Sequence, residues 1–168
     1  MDLNLKGKFA LVGGASQGIG YAIAHLLASE GASVLISGRD GATAEAVAAE
    51  IERDFGSKAI GLAGDMGVKE DVLSMVQAAV DSFGGLDILV NNAGINVSVN
   101  AVEELTAADM EQVLGVNVVG AFLCAREAMR RMKQREGTDE GGRGRIVNIG
   151  SLSVQLRWLT LCLGPVRR

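Results

Sequence analysis

The chain has few aromatic residues, few cysteines and almost no proline. Aromatic residues make up 4% of its 168 residues, with Pro165 the single proline and Cys124 and Cys162 the two cysteines. Two cysteines make neither a disulfide framework nor a metal-ligand cluster, so we expect no metal site. Cys124 is interpreted as a small buried hydrophobic residue. With so few aromatic side chains, the core must consist of Ala, Val, Leu and Ile, which is typical of parallel sheets covered by helices.

An excess of positive charge and a long apolar run are also lacking. The 16 basic and 20 acidic residues give a net charge of −4, which argues against nucleic acid and anionic membranes as partners. No continuous apolar run reaches the roughly 18 residues of a membrane-spanning helix. The N-terminal residues 1–6 lack the apolar region of a signal peptide. We therefore expect a cytoplasmic protein of one domain without a membrane partner.

Glycine is abundant, and its most informative cluster lies near the N-terminus. Gly14, Gly18 and Gly20 are spaced G-x-x-x-G-x-G, between a predicted strand at Phe9–Val12 and a predicted helix. Glycine permits a tight turn and a close approach of the backbone to a ligand. The N-terminus of the following helix offers N–H groups and a partial positive charge, which suit a phosphate. An ordinary tight turn is the alternative interpretation.

Strand and helix patterns alternate along the chain. The first helix has apolar residues at i, i+3, i+4, i+7 and i+8, which predicts a core-facing stripe of Ile19, Ala22, Ile23, Leu26 and Leu27. Further strands are predicted at Val34–Ser37, Ala59–Ala63, Leu86–Val90 and Arg145–Ile149, with a short helix near Ala107–Leu114 and a long one from about Asn117 to Gln134. This order predicts a doubly wound parallel sheet that binds its ligand at the carboxyl ends of the strands.

Polar residues follow the predicted strands at the edge where a ligand would bind. Asp65 follows the third strand and could accept a hydrogen bond from an adenine amino group, or it could cap the next helix. The Asn91–Gly94 segment ends the fourth strand, where small residues would let a cofactor approach or would simply form a turn. Asn117 stands in an apolar run, where we expect it to be buried, and a buried Asn needs a partner, which could be backbone. Ser151 ends the fifth strand.

In order and approximate spacing, these motifs resemble the short-chain dehydrogenase/reductase family over roughly residues 5–153. The resemblance implies a Rossmann-like α/β fold with helices on both faces of the sheet, and residues 1–151 would be its NADP-binding domain. It implies hydride transfer between a nicotinamide cofactor and a small carbonyl or secondary alcohol substrate. It also implies a homo-oligomer, because the family commonly associates through the long helix.

The resemblance assigns roles residue by residue. Ser151 would hydrogen-bond the substrate carbonyl or hydroxyl, and Asn117 would hold a water in a proton relay. Gly13 stands where the family usually has Thr, whose hydroxyl would tie the turn to a neighbouring strand. The residues implied in cofactor binding are Gly14, Ser16, Gln17, Gly18, Ile19, Gly20, Arg39, Asp65, Met66, Asn92, Ala93 and Gly94.

The end of the second strand distinguishes the two nicotinamide cofactors. An acid there hydrogen-bonds the ribose 2′-hydroxyl of NAD, whereas an arginine accommodates the 2′-phosphate of NADP. Gly38 stands where the NAD-type acid would fall, and Arg39 follows it. Asp40 is interpreted as the N-cap of the second helix. These residues predict NADP, with NAD as the alternative if Arg39 is only a solvated surface residue.

The family's Tyr-x-x-x-Lys motif, which supplies its general acid, is missing. The single tyrosine is Tyr21, no lysine follows Lys133, and Gly164 stands where the tyrosine is expected. We interpret residues 152–168 as an atypical tail that arose by truncation or frameshift, with the last strands of the fold missing, or as a divergent ending. Two functions remain open: an oxidoreductase that is inactive as this chain, and a non-catalytic remnant that binds a nucleotide or a partner.

Overall fold

The computed structural model describes residues 3–97, 102–134 and 144–151. The strands are β1 (Phe9–Gly13), β2 (Ser33–Gly38), β3 (Ala59–Ala63), β4 (Ile88–Asn91) and β5 (Arg145–Asn148). The helices are α1 (Gly18–Ser29), α2 (Gly41–Phe55), α3 (Lys69–Phe83), α4 (Ala107–Leu114) and α5 (Ala121–Gln134). A short 3₁₀ turn at Val102–Glu104 precedes α4, and a π-helical segment at Gly115–Gly120 joins α4 to α5. The predicted tail at 152–168, including Cys162 and Gly164, lies outside the described residues.

The five described strands form one parallel sheet in the order β3-β2-β1-β4-β5. The chain moves outward from β1 to β3 and then returns to the other side of β1 as β4. The loops after β1 and β4 therefore leave the sheet in opposite directions, which opens a crevice at their carboxyl ends. The predicted Rossmann-like fold is confirmed, and the predicted strands agree with the observed ones to within two residues at each end.

Helices cover both faces of the sheet. One buried core lies between the sheet and α1 and α2, and it includes Val12, Ile36 and Ile51. The other lies beneath α3 and α5, and it includes Leu11 and Met75. Both cores consist almost entirely of aliphatic side chains, as the scarcity of aromatic residues predicts.

The predicted core stripe of α1 is wrong in part. Ile19 is 65% exposed and Leu26 is 60% exposed, whereas Gly20, Ala24 and Ala28 are buried. Small residues face the sheet because α1 packs very close to the turn that precedes it: a Cβ at Gly20 would collide with the carbonyl oxygen of Gly14. Ile23 and Leu27 pack against the core as predicted, whereas Ile19 and Leu26 do not.

The long helix predicted from Asn117 begins as the π-helical segment Gly115–Gly120. This segment lies against the loop after β3, since a Cβ at Gly120 would collide with the backbone of Met66. Together, 107–134 form a continuous helical stretch of 28 residues that is long and apolar enough to span a membrane by length and composition only. It contains no continuous apolar run of about 18 residues. A core or interface helix of a globular protein passes the same test. In the helical stretch 107–134, only 17% of the most apolar window is buried.

Candidate functional site

A cleft of about 300 Å³ opens at the carboxyl ends of β1, β2, β3 and β4. Each of the four strand-end loops contributes to it. The lining residues are Gly14, Ser16, Gln17, Gly18, Gly38, Arg39, Gly64, Asp65, Met66, Asn92, Ala93, Gly94, Ile95, Gln112 and Val116. The structure thus brings together residues that are far apart in the sequence, at the edge of the sheet where the motifs predicted a ligand.

The glycine-rich turn after β1 requires glycine at two positions for different reasons. Gly14 has φ +66°, and a Cβ there would lie 2.8 Å from Cα of Ala93. Gly18 has φ +61°, but a Cβ there would meet no atom within 4 Å, so its side is open. Left-handed backbone favours glycine at both. Gly14 therefore allows two loops to meet, while Gly18 keeps the entrance of the cleft clear.

The N-terminus of α1 is left without a side-chain cap. Its N-cap, Gln17, makes no side-chain capping bond, and the first turn contains no acidic residue. By contrast, the side chains of Asp40 and Thr106 cap α2 and α4. Since Gln17 and Gly18 line the cleft, the free N–H groups and the positive end of the α1 dipole lie beside it. This arrangement suits an anionic group such as a phosphate.

The loop after β4 fixes the shape of the glycine turn. Asn92 donates hydrogen bonds from Nδ2 to the carbonyl oxygens of Gly13, at 3.2 Å, and of Gly14, at 2.9 Å. The same amide nitrogen would collide with a side chain at Gly20. Asn92 thus fixes the conformation of the turn through hydrogen bonds to its carbonyl groups. Ala93 and Gly94 have a small side chain or none, so they take up little of the cleft.

Two features of the β2 end bear on the charge of a ligand. Arg39 lines the cleft and is exposed, and the described residues give its guanidinium no hydrogen-bond or ion-pair partner. A side chain at Gly38 would lie 2.8 Å from Oγ of Ser16, so the cleft has no room for an acid there unless Ser16 moves. Asp40 caps α2 as predicted, because its carboxylate accepts from the N–H and hydroxyl of Thr43.

Asp65 lines the cleft from the loop after β3. Its Oδ1 accepts a hydrogen bond from the N–H of Gly67 at 2.7 Å. The alternative that Asp65 caps the next helix is wrong, because the N-cap of α3 is Val68, which has no capping side chain. The carboxylate is therefore part of the cleft lining and not of a helix end. Arg39 and Asp65 are the two charged residues in the described lining.

Asn117 is exposed, contrary to the expectation of a buried side chain, but both polar atoms of its amide are hydrogen-bonded. Its Oδ1 accepts from the N–H of Ile95 and its Nδ2 donates to the carbonyl oxygen of Ile95, both at 2.8 Å. The backbone partner considered from the sequence is thus the observed one. Asn117 does not line the cleft itself, but it fixes Ile95, which does. The π-helical turn that carries Asn117 is of a kind often found at functional sites.

Ser151 lies three residues beyond β5 and is exposed. It is not among the residues that line the cleft. Its strand is nevertheless tied to the site, since Asn91 Nδ2 donates to Oδ1 of Asn148 at 2.9 Å and to the carbonyl oxygen of Ala121 at 3.2 Å. Asn91 thereby connects β4, β5 and the start of α5.

The cleft differs from the sequence-based set in a few residues. Ile19 and Gly20 do not line it: Ile19 lies on the exposed side of α1, and Gly20 is buried against the turn. Gly38, Gly64, Ile95, Gln112 and Val116 line it but were not predicted. Gly38 and Gly64 stand directly at strand ends and could have been found there. The other three come from loop and helix segments whose path the sequence pattern does not determine.

Neither a metal site nor a reactive thiol adds to this cleft. The described residues contain no group of three or more His, Cys, Asp or Glu side chains that could hold a metal ion. Burial raises the pKa of the Cys124 thiol to about 12, so the thiol stays protonated and unreactive at neutral pH. The interpretation of Cys124 as a buried hydrophobic residue is confirmed.

Comparison with known proteins then identifies the family. A family model described as short chain dehydrogenase matches residues 8–162. The chain belongs to the short-chain dehydrogenase family. The 3-oxoacyl-[acyl-carrier-protein] reductase FabG of Aquifex aeolicus is 41% identical over 153 residues, which cover 90% of this chain and 58% of that protein. Glucose 1-dehydrogenase 2 of Bacillus subtilis is 32% identical and is matched over 93% and 58% of the respective lengths.

Solved structures of short-chain dehydrogenases show the same fold. A short chain dehydrogenase from Burkholderia cenocepacia in complex with NADP is 41% identical, with a TM-score of 0.80 over 90% of this chain and 58% of that one. A short-chain type dehydrogenase/reductase from Mycobacterium marinum is 36% identical, with a TM-score of 0.80. The chain thus spans about 58% of the length of the relatives it matches. The resemblance seen in the motifs is confirmed at the level of family and fold.

Proposed function

We propose that these 168 residues bind NADP(H) in the cleft and represent the nucleotide-binding part of a short-chain oxidoreductase. The observation that carries the proposal is the cleft itself: an uncapped helix N-terminus, an unpaired Arg39 and the carboxylate of Asp65 lie along one groove in the described part of the chain. The pyrophosphate would bind at the N-terminus of α1. The guanidinium of Arg39 would meet the 2′-phosphate, and Asp65 would accept from the adenine amino group.

The choice of NADP over NAD follows from Gly38, Arg39 and Ser16. NAD recognition uses a carboxylate at the end of the second strand to bind the ribose 2′-hydroxyl. A side chain at Gly38 would require Ser16 to move, and the neighbouring Arg39 offers a positive charge instead. The relative that is in complex with NADP is consistent with this choice.

The experiment is a comparison of NADPH and NADH binding by calorimetry, repeated with Arg39→Ala. A charge-assisted contact to the 2′-phosphate contributes about 1.5–3 kcal/mol, or roughly ten- to a hundred-fold in affinity. The variant should lose this preference, whereas Arg53→Ala should keep it, because Arg53 pairs with Asp54 on the far part of α2. Equal affinities of the unaltered chain for the two nucleotides would contradict the proposal.

For the chemical step, the nicotinamide group supplies the hydride when it is bound. Ser151 would orient the carbonyl or secondary alcohol of a small substrate. Asn117, held by Ile95, would shape the neighbouring wall. Residues 152–168 contain neither Tyr nor Lys, so these 168 residues do not supply the general acid of the Tyr-x-x-x-Lys motif, a group typically worth about 10²–10⁴-fold in rate. We therefore expect NADPH binding without carbonyl reduction at a rate typical of the family.

This missing general acid also favours the second candidate, a non-catalytic nucleotide-binding or partner-binding protein. An assay of NADPH oxidation against ketones, aldehydes and β-keto thioesters separates the two. Robust turnover that is lost in Ser151→Ala would support the oxidoreductase and contradict the expected inactivity. Nucleotide binding without turnover is the result that both candidates predict for these 168 residues, so only turnover decides between them.

We also propose self-association through the long helix, with a cytoplasmic location as the unchanged expectation. Val118, Val119, Phe122 and Met129 are each between 47% and 63% exposed on the π-helical segment and α5. Apolar side chains clustered in this way mark a surface for contact with another protein. Light scattering should show a homo-oligomer that Phe122→Glu dissociates. A monomer at micromolar concentration would contradict self-association.

A further inference from the structure

The loop that follows β3 is held by two carboxylates in series. Oδ2 of Asp71 accepts a hydrogen bond from the N–H of Asp65 at 2.9 Å. Oδ1 of Asp65 in turn accepts from the N–H of Gly67 at 2.7 Å. The first bond fixes the backbone of Asp65, and the second fixes one oxygen of its side chain.

Asp71 is the third residue of α3, yet it does not cap its own helix. The N-cap residue Val68 has no side-chain capping bond. An acid in the first turn commonly serves the N–H groups of that turn or of the N-cap. Asp71 instead reaches back six residues to Asp65. The first turn of α3 is thereby coupled directly to the cleft.

The rest of the loop is closely packed, so Asp65 cannot shift without moving its neighbours. A Cβ at Gly67 would lie 3.1 Å from Cγ2 of Val116, and one at Gly120 would collide with the backbone of Met66. The π-helical segment thus packs against one side of the loop, and Asp71 binds the backbone on the other side. Oδ2 of Asp65 is left without a hydrogen-bond partner among the residues that the structure describes, and Asp65 lines the cleft.

We infer that Asp71 is a positioning residue for recognition of the nucleotide base: it orients Asp65 so that the free carboxylate oxygen accepts from an exocyclic amino group. The inference rests on the proposed nucleotide site. It adds a residue outside the cleft that determines which base the cleft prefers. A merely structural role for Asp71 would lower the stability of the fold without changing this preference.

The test compares NADPH with its deamino analogue, in which a carbonyl oxygen replaces the 6-amino group of the purine. Asp65 should favour NADPH by roughly 5- to 10-fold, the equivalent of one hydrogen bond. Asp71→Ala should reduce this ratio to below about two-fold. Asp71→Asn should restore the ratio, because the amide oxygen of Asn accepts from the same N–H. Glu70→Ala is the matched control, since it removes an exposed acid from the same turn.

Amide hydrogen exchange gives a second readout that needs no nucleotide. Asp71→Ala should speed exchange at the N–H of Asp65 by at least about 10-fold, while Glu70→Ala leaves it unchanged. Unchanged exchange in Asp71→Ala, or an unchanged NADPH preference in that variant, would overturn the inference. An unaltered chain that does not bind NADPH would instead overturn the proposed function, and the exchange result would still decide whether Asp71 holds Asp65.

Discussion

Replacement of Gly13 by threonine should stabilise the fold, because Gly13 lies between two buried polar atoms that lack partners in the described part of the chain. The register places Gly13 opposite Asn91 on β4 and, one residue beyond the Val12–Ile36 pair, beside Ser37 on β2. Oγ of Ser37 and Oδ1 of Asn91 are buried and have no hydrogen-bond partner among the described residues. Both side chains point to the same face of the sheet as Leu11.

The local space admits a side chain at position 13. Gly13 does not have a positive φ, and a Cβ there would contact the carbonyl oxygen of Val90 at 3.6 Å and the sulfur of Met66 at 3.7 Å, which are ordinary distances. A threonine hydroxyl can donate to Oδ1 of Asn91 and accept from Oγ of Ser37. A buried polar group without a partner costs about 1–3 kcal/mol, so the hydroxyl should stabilise by a similar amount.

Gly13→Val is the matched control, since valine has the shape of threonine without the hydroxyl. We expect threonine to exceed valine by about 1–3 kcal/mol in the free energy of unfolding measured in urea. The melting temperature should differ by about 2–4 °C for each kcal/mol at this chain length. A valine variant as stable as the threonine variant would refute the reasoning, since it would show that the two polar atoms gain nothing from a partner.

Four other outcomes follow from the structure. Gly18→Val should abolish nucleotide binding while circular dichroism stays unchanged, because the valine side chain would enter the cleft. Gly56→Val is the control, since Gly56 has φ +66° and equally open space. That variant should strain the backbone but still bind the nucleotide. Gly61→Ala should destabilise by at least about 1–3 kcal/mol in urea, because its Cβ would collide with the backbone of α2, and unchanged stability would contradict that packing. In a Cys162→Ser background, Cys124 should react with a thiol reagent only after unfolding. Burial raises the pKa of the Cys124 thiol from 9.0 to about 12. The thiol therefore loses its proton at lower pH in the unfolded chain than in the folded one, and the free energy of unfolding should fall as pH rises from about 9 to about 12. A Cys124→Ala variant with the same pH dependence of stability would contradict this expectation.

The sequence predicted the sheet well because each strand is a short aliphatic run that ends in a glycine or a polar residue. It predicted most of the cleft for a related reason. In a doubly wound sheet the strand ends meet at one edge, so Gly14, Asp65 and Asn92 come together whenever their strands are correctly identified. These residues line the cleft as a group.

The failures occurred where packing distance, and not polarity, decided the structure. Ile19 and Leu26 follow a helical apolar period, yet α1 buries Gly20 and Ala24 instead, because only small residues let it lie against the turn. The apolar neighbours of Asn117 predict an interior side chain, although it lies at the surface and binds the backbone of Ile95. The packing of α1 on the turn and the bonds between Asn117 and Ile95 do not depend on the spacing of apolar residues, so the sequence pattern does not predict them.

The hydrogen bonds between Asn92 and the glycine turn affect the order in which the chain folds. The carbonyl of Gly14 is made early in synthesis, but its hydrogen-bond partner Asn92 follows 78 residues later. The turn therefore reaches its final shape only after β4 has joined β1. Under the proposed function, a nucleotide would bind only chains that have completed this step, and at a hundred-fold excess over its dissociation constant it would stabilise them by about 2.7 kcal/mol. The late contact between Asn92 and Gly14 would thus link completion of the fold to occupation of the cleft.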